Sequence, residues 1–79
     1  MKQEILIDRV FDAACVSIVD PEWSKQILNR VISNSPENAN YANNLFNFYK
    51  TQVGLNLDYC ASRRDYMIQN KEKLKLRFK

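Results

Sequence analysis

The chain has no histidine, a single glycine (Gly54), two prolines (Pro21 and Pro36) and two cysteines (Cys15 and Cys60). Lack of histidine removes the commonest general base and the commonest metal ligand. The cysteines stand 45 positions apart with no CxxC pair, so a zinc site has no ligand set. One glycine and two prolines are too few turn residues for a β-rich fold of this size, which favours a few long helices. Long apolar runs are missing as well. The longest covers residues 13–16, far short of a membrane span. Acids at Glu4 and Asp8 break up the opening residues, which do not read as a signal peptide. No GxxxxGK loop, GxSxG elbow or paired nucleophile and base is present. The expectation is a cytoplasmic protein that is no enzyme, binds no cofactor and has no membrane partner. Both cysteines read as reduced, buried small hydrophobes, with a disulfide between them as the alternative.

What the chain does have is apolar content and uneven charge. Its 79 residues suffice for one domain, and 46% of them are apolar. A chain this short buries only about 60% of its unfolded surface. Its core must be well packed or shared with a partner. Net charge is +3. Residues 1–55 carry five Lys/Arg and six Asp/Glu; residues 56–79 carry seven and three. The basic character belongs to the C-terminal third.

Periodicity predicts a first helix over about 3–19. Leu6, Ile7, Val10, Phe11, Ala13, Ala14 and Ile18 share one broad face. Ile5, Cys15, Val16 and Val19 intrude on the other side, which marks a central helix. Glu4, Asp8 and Asp12 form an acid row expected to face water. Asp20-Pro21-Glu22 is a helix start, with Asp20 as N-cap and proline at the first position. That second helix runs to about Ser33, with Trp23 as core anchor or interface hot spot. Ser35-Pro36-Glu37 repeats the signal and opens a third helix to Val53. Its apolar arc (Tyr41, Ala42, Leu45, Phe46, Phe48, Tyr49 and Val53) is roughly 180° wide, more than one neighbouring helix covers. The arc must meet two helices, or one helix and another protein. Gly54 sits where a left-handed C-cap belongs, and Asn56 then caps a basic C-terminal helix over about 56–79. The alternative is one long bent helix through Gly54. The fold expected is all-α, a small bundle of three to four helices, in which helices two and three pack antiparallel.

The last helix carries the candidate binding face. Its core stripe is Leu57, Cys60, Ala61, Met67, Ile68 and Leu74. Opposite lie Tyr59, Arg63, Tyr66, Asn70, Lys73 and Arg77, spaced four, three, four, three and four along one helical line. Tyrosines alternating with cations can stack on bases or rest on an acidic protein surface. A solvated face accounts for the same residues. The basic residues 71–79 suit either a nucleic-acid or acidic partner or a helix end whose cations offset the dipole. Residues 52–59 resemble the turn of a helix-turn-helix, with Gly54 at the turn and Asn56, Asp58, Ser62 and Arg63 toward a groove. Lys50 stands where that motif has a small residue.

These features favour a non-catalytic protein-binding module, a small regulator, inhibitor or assembly factor acting through the Tyr/Arg face. The alternatives are a nucleic-acid-binding protein using the basic C-terminal third and a structural subunit of a larger assembly. The apolar surplus also makes a homodimer an open reading.

Overall fold

The computed structural model describes the backbone of residues 2–77 and the side chains of residues 2–75. It is an all-α bundle, with no strand among the described residues. Helix α1 spans Gln3–Val16, α2 Pro21–Asn34, α3 Ala39–Leu55, α4 Ala61–Gln69 and α5 Lys71–Arg77. A single 3-10 turn, Pro36–Asn38, precedes α3.

Helix α1 is the hub. It packs against α2, α3 and α4, and α2 and α3 meet each other less than each meets α1. The expected pairing of helices two and three is therefore secondary to their shared seat on α1. All-round apolar character explains the hub: Leu6, Val10, Ala13, Ala14, Cys15 and Val16 are all buried. Small side chains permit close approach. Ser24 of α2 donates its hydroxyl to the Ala13 carbonyl at 2.6 Å. Two apolar clusters result. Ala13, Val16, Trp23, Ile27, Met67 and Leu74 form one; Leu6, Val10, Val31 and Ala42 form the other. Phe46 packs against both. Trp23 is a core residue, as one of its two readings has it.

Helix α1 ends three residues before the expected Val19. Ser17 turns its hydroxyl onto the Ala14 carbonyl at 2.7 Å and closes the last turn. Ile18 and Val19 then stand exposed in the connection. Asp20 caps α2 as expected, its carboxylate accepting from the Trp23 amide at 3.1 Å. The same motif at Ser35 behaves differently. Ser35 makes no side-chain cap; its hydroxyl is buried without a hydrogen-bond partner. Only a 3-10 turn forms before α3 begins.

Gly54 is no C-cap. Its φ is not positive, and α3 runs on to Leu55, with the Asn56 amide bonded to the Gln52 carbonyl. The single long helix is also absent. Residues 56–60 make a turn, in which the Asn56 side chain accepts from the Asp58 amide at 3.0 Å. The left-handed residue is Cys60, at φ 51°. Asn56 thus shapes the turn instead of capping a helix, and the turn lacks the form of a helix-turn-helix. A second break splits the expected C-terminal helix at Asn70. That side chain donates to the Tyr66 carbonyl at 2.8 Å, which also accepts the Asn70 amide at 3.1 Å. Of the expected core stripe, Met67 and Leu74 are buried, Cys60 and Ala61 are half-buried, and Leu57 and Ile68 are exposed. Their exposure comes from the turn, which takes Leu57 off the helix and shifts the phase of α4.

Candidate interaction surfaces

Arg64 holds the C-terminal elements in place. It is 7% exposed, and its guanidinium donates to three carbonyls: Cys15 at 2.7 Å, Leu57 at 3.0 Å and Tyr59 at 3.1 Å. One side chain thus ties α4 to the end of α1 and to the 56–60 turn. Sequence reasoning passed over it, yet a signal existed. Position 64 lies in the middle of the stripe formed by Cys60, Ala61, Met67 and Ile68. A charge centred on an apolar stripe must either spoil the packing or find buried acceptors.

The six candidate face residues do not form one line. Tyr59 lies in the turn, half-buried, its ring 6.1 Å from that of Phe11. Phe11 in turn meets Tyr49 edge-on at 5.2 Å. Burial pushes the Tyr49 hydroxyl pKa up, and Tyr59 and Tyr41 add to the effect. Arg63 grips Asp12 with two hydrogen bonds, Nε to Oδ1 at 2.7 Å and Nη2 to Oδ2 at 2.8 Å. Its side chain is 40% exposed and that of Asp12 only 7%. Asp12 therefore departs from the expected solvated acid row. The Asp12 hydrogen bond raises the Arg63 pKa above its ordinary value. The Arg63 guanidinium also lies over the exposed Tyr66 ring, 5.1 Å from its centre. Asn70 is committed to the helix break. Lys73 is exposed on α5, beyond that break, and the Arg77 side chain lies outside the described residues. The structure brings Arg63, Tyr66 and Asn70 together along α4 and its end, and sets Tyr59 in the turn and Lys73 beyond the break.

The basic third is thereby less available to phosphate than its charge suggests. Arg64 is internal and Arg63 is paired. Lys71 binds Asp20 and covers the Trp23 ring at 5.5 Å. Lys75 borders a groove of about 500 Å3 between α2 and α5, with Gln26, Asn29, Arg30 and Ser33 on its walls.

Cys15 and Cys60 are free thiols. Burial pushes the Cys15 pKa well up, and the neighbouring Cys60 thiol adds to the rise. Among the described residues no group of three or more ligating side chains is placed to hold a metal ion. None of their helices is long and apolar enough to cross a membrane.

Helix α3 also carries exposed apolar surface. Ala42 and Val53 face the core, and Leu45, Phe46 and Tyr49 are half-buried beside them. Tyr41, Phe48 and Leu55, spaced seven apart, are 39%, 56% and 79% exposed. A spacing of seven returns to nearly the same side of a helix, so these three make a stripe along its outer edge. Lys50 is the single charged residue among the 17 of α3. No family model, curated protein or solved structure matches this chain.

Proposed function

We propose that the chain is a non-catalytic protein-binding module that docks through α3. The carrying observation is the Tyr41, Phe48 and Leu55 stripe. A helix that already packs on α1 and α2 still presents three large apolar side chains to water. Interface cores are depleted in charge and enriched in aromatics, and α3 has that composition. Tyr66 with its stacked Arg63 offers a second, more polar contact, the surviving part of the Tyr/Arg face. The setting in this reading is the cytoplasm, where Cys15 and Cys60 stay reduced.

The test places a photo-crosslinking amino acid at Phe48, Tyr66 or Asn43 in the cells that make the protein. A discrete protein adduct from position 48, absent from position 43 and lost with Leu55→Lys, is the expected result. Equal labelling at all three positions, or nucleic acid as the adduct, overturns the reading. Nucleic-acid binding through the basic C-terminal third is the second reading, supported by the exposed Lys73 and Lys75 of α5. It calls for micromolar affinity for mixed-sequence DNA or RNA that falls steeply with salt.

A further inference from the structure

We propose that the α3 stripe is the seam between two copies of this chain, packed antiparallel about a two-fold axis at Phe48. The inference rests on the reading of α3 as a protein-docking face and names its occupant.

The spacing is self-complementary. Reversing α3 about Phe48 sets Tyr41 of one copy opposite Leu55 of the other, in both directions, with Phe48 facing Phe48. It also sets Asn44 opposite Gln52 and Leu45 opposite Thr51. A two-fold interface needs this property, because the same patch serves both sides.

Charge agrees. Two copies of a chain with net charge +3 repel unless their basic parts stay apart. The one charge on α3, Lys50, lies two residues from Phe48, roughly half a turn round the helix. There its ammonium lies 5.8 Å from the centre of the Phe46 ring. The basic helices α4 and α5 do not pack on α3; α4 sits on a different flank of α1. An antiparallel α3 pair therefore brings together uncharged side chains only. An acidic or nucleic-acid partner would find no countercharge on this stripe, whereas a second copy needs none.

Area sets the strength. Helix α3 has 17 residues, and at 1.5 Å each it is about 25 Å long. One helix pair of that length falls below about 1,200 Å2 of buried surface, the low end for specific interfaces. The dimer is weak, with half-association at roughly micromolar to millimolar concentration.

Sedimentation velocity on the purified chain, from about 10 µM to 1 mM, tests this. The mean mass is expected to climb from 9.3 kDa toward twice that value. A monomer at every concentration overturns the proposal. In that case a discrete foreign protein crosslinked at position 48 would still leave the docking face standing, so the two failures are distinguishable. Phe48→Glu is expected to weaken association at least tenfold with circular dichroism unchanged; unchanged association places the contact elsewhere and overturns the seam. Register is tested by Tyr41→Glu and Leu55→Lys, each of which weakens self-association. Mixing the two is expected to restore pairing, because a mixed dimer gains one ion pair and keeps one native contact. No recovery on mixing overturns the antiparallel alignment.

Discussion

Replacing Arg64 with methionine keeps helix propensity and length but removes all three donated hydrogen bonds. Hydrogen bonds from a charged donor contribute about 1.5–3 kcal/mol each. Water can replace the donor at the carbonyls of the exposed Leu57 and half-buried Tyr59, so those two losses are partial. Cys15 is fully buried, and an orphaned carbonyl there costs about 1–3 kcal/mol. The expected loss is about 3–5 kcal/mol. A domain of 79 residues has roughly 4–12 kcal/mol in total. Arg64→Met should thus remove about a quarter or more of the stability and free α4 and the 56–60 turn first. Urea unfolding followed at 222 nm is the assay. With a slope near 1–1.5 kcal/mol/M, the midpoint should drop by about 2–5 M. Arg64→Lys keeps the charge but not the planar fork, and should fall between the two. A midpoint shift under about 0.5 M for Arg64→Met, with an unchanged slope, would refute the reasoning. It would mean that water serves these carbonyls as well as the guanidinium does.

Further expectations concern other pairs. The Asp12 and Arg63 pair should show a coupling of about 1–2 kcal/mol in a double-mutant cycle with Asp12→Asn and Arg63→Met; additive losses would make it an idle surface contact. The Asp20 carboxylate is held below its ordinary 3.8, by the Lys71 hydrogen bond first and the Trp23 amide second. Its contribution is present above the unfolded value and lost as pH falls through the folded one. Asp20→Asn should therefore flatten the acid limb of the stability profile below about pH 4, and an unchanged limb would contradict the assignment. Native-state alkylation should modify the half-buried Cys60 and leave Cys15 intact until unfolding. Equal labelling of both thiols by mass spectrometry would show that α4 is not seated on α1.

Much of the fold was legible. The all-round apolar phase of residues 3–16 marked the hub, and Asp20-Pro21 marked a real cap. The surplus arc of the third helix was readable too, and its outer edge is the exposed stripe. What escaped was local bonding of side chain to backbone. Ser17, Asn56 and Asn70 each bond a nearby backbone group, at the end of α1, in the turn and at the split of the last helix. None of these residues breaks a hydrophobic period, so periodicity read through them. The Ser35 motif failed for the opposite reason: it matched a local pattern, while its burial was decided by tertiary packing. The proposed Tyr/Arg face depended on an unbroken helix from 56 to 79. Two turns divided it, and Asp12, buried across the bundle, claimed Arg63. That partnership spans 51 positions, beyond what local spacing reports.

The same long-range ties make the first three helices depend on the last segment of the chain. Asp12 and the Cys15 carbonyl, both on α1, find their charged partners in Arg63 and Arg64. That segment supplies the cations that complete the bundle, so a chain cut short before Arg63 would leave Asp12 without that partner.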